Sequence, residues 1–229
     1  MIPTNPSEPC ATAGRFIALE GGEGAGKSTQ ARFLAEALRA LGRDVVITRE
    51  PGGTLGAEAI RALLLNGVEG DEAGWGPRAE ALLFAAARAD HVEKLIRPAL
   101  ARGAWVVCDR FIDSSRAYQG GGGGLSDDDI CTLHRIGSEN LLPDLTILIE
   151  VSPEEALRRL ALRDVGGSDR IGGRERTYHD RVARAFLGFS DAPRAPYVRI
   201  CGDGDPEQVR ALVLDAVLAK LSCAPDVDD

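Results

Sequence analysis

Gly21-Gly-Glu-Gly-Ala-Gly-Lys27-Ser28-Thr29 has the spacing G-x-x-x-x-G-K-[ST], the loop that wraps phosphates in nucleotide-binding α/β proteins. Its glycines let successive backbone N–H groups turn toward one point with no Cβ between them. The helix that follows aims its positive end at the same place. The nine residues Gly21, Gly22, Glu23, Gly24, Ala25, Gly26, Lys27, Ser28 and Thr29 are therefore candidates for holding a nucleotide such as ATP. Lys27 is the expected partner of the β- and γ-phosphates, and Ser28 the hydroxyl for Mg²⁺. The flanks supply the setting this loop requires. Phe16-Ile-Ala-Leu-Glu20 ahead of it is a short apolar strand. Ala31, Phe33, Leu34, Ala37, Leu38 and Leu41 behind it form the stripe of an amphipathic helix.

The remaining chain repeats this alternation. Asp44-Val-Val-Ile-Thr48, Ala104-Trp-Val-Val-Cys-Asp109, Leu145-Thr-Ile-Leu-Ile-Glu150 and Tyr197–Cys201 read as further strands. Between them lie helical patterns over 55–66, from Pro77 to about His91, from Ser126 onward, from Ser152 onward and over 206–221. A turn is expected near Arg102-Gly103, and the glycines 120–124 read as loop. Strands alternating with helices predict a five-stranded parallel, doubly wound sheet with ligands at the carboxyl ends of its strands. The expected organisation is a disordered lead-in over 1–14, one domain over 15–221 with a small mobile lid at about 164–174, and an acidic tail over 222–229.

Composition narrows the function classes. A net charge of −8 argues against general nucleic-acid binding and against anionic membrane surfaces. No run approaches the 18 or so apolar residues of a membrane span, and residues 1–14 lack the basic and apolar regions of a signal peptide. The five cysteines form no C-x-x-C pair, which favours reduced thiols in a cytoplasmic protein over a zinc site. Lysine occurs only at 27, 94 and 220, so arginine supplies most positive charge.

Conspicuous polar residues follow the strands: Arg49-Glu50, Asp109-Arg110 and Glu150. Asp109 is the expected metal carboxylate opposite Ser28, with a helix cap or surface turn as the structural alternative. Glu150 is its rival. Phe84 and Arg88 lie four residues apart on one helix and share a face. They offer a ring and a guanidinium to one ligand, or they are a core phenylalanine beside a surface arginine; helical spacing alone favours the second. Arg158, Arg159, Arg163, Arg170, Arg174 and Arg176 crowd into and around the Gly-, Asp- and Arg-rich segment from Asp164 to Arg174. Such a run is usually a solvated helix face, yet basic residues on a closing segment also suit phosphoryl transfer.

With these residues in place, the chain resembles the thymidylate kinase family from about Phe16 to Leu221. The motifs are Phe16-Ile-Ala-Leu-Glu-Gly-Gly-Glu-Gly-Ala-Gly-Lys-Ser-Thr29, Thr48-Arg-Glu-Pro-Gly-Gly-Thr54, Leu83-Phe-Ala-Ala-Ala-Arg88, Cys108-Asp-Arg-Phe-Ile-Asp-Ser-Ser-Arg-Ala-Tyr-Gln-Gly120, Pro143-Asp-Leu-Thr146 and Asp169-Arg170. The resemblance implies a P-loop nucleoside monophosphate kinase-like fold that transfers the γ-phosphoryl of Mg·ATP to dTMP, in a cytoplasmic homodimer. It implies that Phe84 stacks on the thymine, that Arg88 and Ser115 approach the base edge, and that Tyr118, with Gln119 beside it, closes against the sugar. It further implies that Glu23 addresses the 3′-hydroxyl region, that Glu50 stands near metal and acceptor, that Arg61 lines the acceptor pocket and that Arg110 grips phosphate between the two substrates. Gly24 after Glu23 points to the bacterial arrangement, in which lid arginines serve catalysis: Arg163 and Arg170 first, Arg159 next. The chain departs from the family pattern at Gly123, where many relatives have Arg, and at Gly172-Gly173, where a Glu is common after the aromatic or aliphatic.

The alternative reading is another P-loop kinase acting on a different nucleotide or a small-molecule hydroxyl. A GTPase-type switch is disfavoured because Asp164-Val-Gly-Gly167 stands in the flap and no N-K-x-D motif exists. A silent binding module is disfavoured because Lys27, Ser28, Asp109 and Arg110 are all present.

Overall fold

The computed structural model describes residues 13–68, 70, 73–163, 170–191 and 193–221. β1 (Phe16–Glu20) is buried at every position, which is why its sequence is a near-continuous apolar run. The phosphate loop turns from β1 into α1 (Lys27–Ala40) through Gly26, whose φ of 89° favours glycine. β2 (Val45–Arg49) leads to α2 (Leu55–Asn66), capped by the Thr54 side chain, which accepts from the Ala57 N–H. α3 (Pro77–His91) opens on a proline.

That helix does not stop at His91. It runs through a π-helical turn, Val92–Ile96, into α4 (Arg97–Ala101). The wider turn accommodates Pro98, which has no N–H to return to the preceding turn. β3 (Trp105–Asp109) follows, then α5 (Ile112–Ser115). The Arg116–Gly122 stretch, in which the glycine pattern suggests loop, is a second π-helical turn. α6 (Asp127–Ser138) is capped by Ser126, whose hydroxyl accepts from the Asp129 N–H. β4 (Leu145–Glu150), α7 (Pro153–Arg163), α8 (Arg176–Asp191), β5 (Tyr197–Cys201) and α9 (Pro206–Leu221) complete the described chain.

The five strands pair in parallel in the order β2-β3-β1-β4-β5. Side chains alternate across the sheet. Ile17 and Leu19 of β1 face α1 and α9, packing with Leu34, Leu38, Val213 and Val217. Phe16 and Ala18 face the other layer, with Ile96, Val106, Phe111 and Ile130. A third cluster joins Tyr118 and Leu148 to Tyr178, Val182 and Phe186 of α8. Each large side chain fully buried in these layers contributes roughly 1.5–3 kcal/mol. Because β1 is flanked by β3 and β4, the chain winds outward in both directions from it, and the crevice opens above its carboxyl end. Among the described residues, no helix is long and apolar enough to cross a membrane.

Candidate active site

A cavity of about 600 Å³ lies over the carboxyl ends of β1, β2 and β3. Its wall includes Glu23, Gly24, Gly26, Lys27, Ser28 and Thr29 from the phosphate loop and the start of α1. From the other elements come Glu50, Arg61, Phe84, Arg88, Asp109, Arg110, Ser115, Tyr118 and Gln119. Residues spread over a hundred positions thus meet in one place. Gly21, Gly22 and Ala25 form the turn behind that wall. At Gly21 a Cβ would fall 2.4 Å from the Ile149 carbonyl oxygen, so the loop can sit this close to β4 only with glycine there.

At the loop, the Lys27 ammonium donates to the Gly22 carbonyl at 2.6 Å. Burial, with the Arg110 charge nearby, lowers its pKa to about 8. The Ser28 hydroxyl donates to Asp109 Oδ2, while the buried Asp109 Oδ1 has no hydrogen-bond partner among the described residues. A hydroxyl beside a half-satisfied carboxylate fits Mg²⁺, a hard cation that takes oxygen ligands and keeps most of its shell for water and phosphate. Glu150, the rival carboxylate, is turned away and pairs with Arg199 at 2.8 Å.

Arg110 stands between the loop and the cavity's far wall. Its φ of 72° is left-handed, unusual for a residue with a Cβ. From that bend Nη1 donates to the Gly21 carbonyl and to Ser114 Oγ, both at 3.0 Å. Nη2 donates to Glu23 Oε1 at 2.6 Å and to Tyr118 Oη at 3.1 Å. The guanidinium also lies 4.8 Å from the Tyr118 ring centre. The neighbouring carboxylates keep Arg110 charged although it is buried. Burial pushes the Tyr118 hydroxyl pKa well up, so it stays a neutral donor to Glu23.

On that far wall, Arg88 Nε donates to Glu50 Oε2 at 2.7 Å and Nη2 to Ser115 Oγ at 2.9 Å. His91 Nδ1 sits 3.1 Å from Glu50 Oε1. Burial raises the Glu50 pKa, and Arg88 and His91 more than offset it, holding the carboxyl below its ordinary value. Both Glu50 oxygens are thus engaged, one by Arg88 and one by His91. Phe84 and Arg88 both line the cavity, so the shared helix face is one of its walls. Arg61 donates to the Pro51 carbonyl at 2.7 Å. Gln119 donates to the buried Glu80 at 2.9 Å.

The arginines predicted to serve a lid lie in different places. Arg159 lines the cavity's loop end, with Nη2 donating to the Gly202 carbonyl at 2.7 Å and Nη1 to Ala25 at 3.4 Å. The Arg163 side chain and residues 164–169 lie outside the described residues. Arg170 has its guanidinium against Gly67 and Gly74, and its N–H reaches the Leu65 carbonyl at 3.4 Å. Arg174 pairs with Glu80, and Ile171 reaches the cavity wall. Ser114, Leu65, Leu160 and Ile171, to which the sequence assigns no role, also line the cavity. Only Ser114 carried a signal, as the first serine of the Asp109-to-Gln119 motif.

The family model for thymidylate kinase matches residues 19–211. A thymidylate kinase of Rhizorhabdus wittichii is 56% identical over 204 residues, covering 89% of this chain and 97% of that protein. One from Caulobacter vibrioides is 45% identical over 210 residues, covering 92% of this chain and 99% of its own length. The crystal structure of thymidylate kinase from Ehrlichia chaffeensis superposes with a TM-score of 0.71 at 31% identity, covering 90% of this chain and 99% of that one.

Proposed function

The chain belongs to the thymidylate kinase family and phosphorylates dTMP to dTDP; on that premise we propose that the cavity binds ATP at the loop end and dTMP against Phe84, with Arg110 between them. The observation that carries this reading is the reach of Arg110. One guanidinium bonds the phosphate loop at Gly21 and the acceptor wall at Ser114 and Tyr118, so it spans the gap a phosphoryl group must cross.

The attacking oxygen of a nucleoside monophosphate is already anionic, so no general base is needed. The obstacle is bringing two anions together in line. Lys27 holds the donor phosphates, and its pKa of about 8 leaves it mainly protonated at neutral pH. Arg110 faces both phosphates from a geometry fixed before substrate arrives, which removes reorganisation from the barrier. Mg²⁺, when bound, offsets phosphate charge, and Ser28 and Asp109 would hold it. Phe84 offers its ring to the thymine, Arg88 and Ser115 their polar groups to the base edge. Tyr118 and Gln119 bound the sugar, Glu23 stands toward its 3′-hydroxyl, and Arg61 and Glu50 complete the acceptor pocket. The lid over about 164–174 closes with Arg163 and Arg170 and excludes water.

A cytoplasmic homodimer is part of the same reading. Leu55, 95% exposed, Leu82 and Ile136 are uncovered on α2, α3 and α6, three helices that pack side by side. Exposed apolar side chains on adjoining helices are what self-association would cover, and sedimentation equilibrium of the full chain measures it directly.

The decisive assay is ADP release from Mg·ATP with dTMP, dUMP, UMP, dCMP, dGMP and shikimate offered in parallel. Turnover of dTMP well above the rest is expected. Preference for another acceptor would overturn the pocket assignment around Phe84, Ser115 and Tyr118.

A further inference from the structure

Glu20 is a carboxylate to which the mechanism above gives no part. It ends β1 beneath the phosphate loop and is wholly buried. Its oxygens take three donors from a single turn. Oε1 accepts from the Phe111 N–H at 2.8 Å and the Ser114 N–H at 3.1 Å, and Oε2 from the Ser114 hydroxyl at 2.6 Å. That turn begins immediately after Arg110, the residue held in a left-handed conformation.

A serine hydroxyl has one proton and two lone pairs. Because Ser114 directs its proton to Glu20, its lone pairs remain for Arg110, whose Nη1 donates to Ser114 Oγ at 3.0 Å. Glu20 thus acts on the Arg110 guanidinium through one intervening hydroxyl while standing outside the cavity wall. We propose that Glu20 is a positioning residue for phosphoryl transfer, setting through Ser114 the direction in which Arg110 faces the phosphates. This rests on the role of Arg110 given above. A buried carboxylate is costly unless hydrogen-bonded, and here every donor it takes belongs to the turn that carries the phosphate-gripping arginine. Burial and Asp113 raise its pKa to about 7, against Ser114, Arg110 and the Phe111 N–H, so at pH 8 the carboxylate is the main form.

The test is steady-state kinetics at pH 8 for Glu20→Gln and Ser114→Ala, each alone and in an Arg110→Ala background. Glutamine keeps the size and one acceptor oxygen of Glu20 but presents an NH₂ where Ser114 needs an acceptor, so the hydroxyl must turn. Each single variant is expected to lower kcat by about tenfold or more with the KM for ATP within about twofold, the pattern of a contact realised in the transition state. In the Arg110→Ala background, each is expected to change kcat by less than about twofold, because residues acting through one group are non-additive. Should Glu20→Gln fail to fold, Ser114→Ala, which removes a single hydroxyl, yields the same comparison. Losses that multiply in the Arg110→Ala background would overturn the proposal, since Glu20 would then act on the fold alone. Near wild-type turnover of Arg110→Ala by itself would instead overturn the assignment of Arg110, so the two failures are told apart.

Discussion

Arg88 on α3 and Glu50 at the end of β2 form an ion pair 2.7 Å long with both side chains only 4% exposed. Two charges withdrawn from water this far are held by further partners: His91 on the second Glu50 oxygen, and Ser115 and the Phe111 carbonyl on Arg88. The pair therefore locks a helix to a strand end and fixes the Arg88 guanidinium in the cavity wall.

Removing Arg88 leaves the Glu50 carboxylate buried with only an imidazole. Arg88→Ala is expected to destabilise the fold by roughly 3–5 kcal/mol, the range for one broken buried pair, and to raise the KM for dTMP. The Glu50 carboxyl is held below 4.5, so this stabilisation is present above the ordinary value and is lost as pH falls through the lowered one. Urea unfolding at pH 7 and again in acid measures both effects. A loss below about 1 kcal/mol at pH 7 would contradict the locking role.

Arg110→Ala is expected to lower kcat/KM for dTMP by at least ~10²-fold, the scale for one preorganised charge partner. The variant also removes the Arg110 partner of Glu23, so thermal unfolding should be followed in parallel to separate lost chemistry from lost fold.

Glu20 gives the protein a pH dependence of opposite sign to Glu50. Its folded pKa of about 7 lies above the ordinary 4.5, so the folded state binds the proton more tightly. The stability this contributes is complete below about 4.5 and is lost as pH rises through about 7. Glu20→Gln should therefore gain on the wild type by up to about 3 kcal/mol between pH 5 and pH 8, at about 1.4 kcal/mol per unit. A stability difference that stays constant over that range would count against the buried, ionisable Glu20 described here.

The sheet and the phosphate loop were legible because their signals are local: a buried strand is an apolar run, and the loop is a fixed spacing of glycines before Lys27. The fates of three acids at strand ends were not. Glu20, Asp109 and Glu150 look alike in sequence, yet one holds a turn, one faces Ser28 and one pairs with Arg199. Their partners lie 94, 81 and 49 residues away, beyond any periodic pattern. Phe84 and Arg88 share a face in either reading, and only the packing of α3 reveals that this face is a wall of the cavity. The glycine run misled for a related reason. A Cβ at Gly121 would lie 2.6 Å from the Ala185 Cβ, and one at Gly122 would lie 2.5 Å from Tyr178 Cε2. Those glycines answer the close approach of α8 to a helical turn.

Arg159 and Arg163 sit one turn apart on α7 and are expected to fail differently. Arg159 is tied to the carbonyls of Ala25 and Gly202 and lines the loop end of the cavity. Arg159→Ala should raise the KM for ATP by about tenfold, the scale of a charged hydrogen-bonded contact, with little change in kcat. Arg163 is the last residue of α7, next to the segment proposed as a lid. If it meets the transferring phosphoryl only on closure, Arg163→Ala should lower kcat by ~10²-fold or more while the KM for dTMP stays within about threefold. A donor-binding residue changes ground and transition states alike, whereas a lid residue is felt only at the barrier. Initial-rate kinetics with both substrates varied separates the two. A pure KM effect from Arg163→Ala would move it to the binding class and leave Arg170 as the lid arginine to test next.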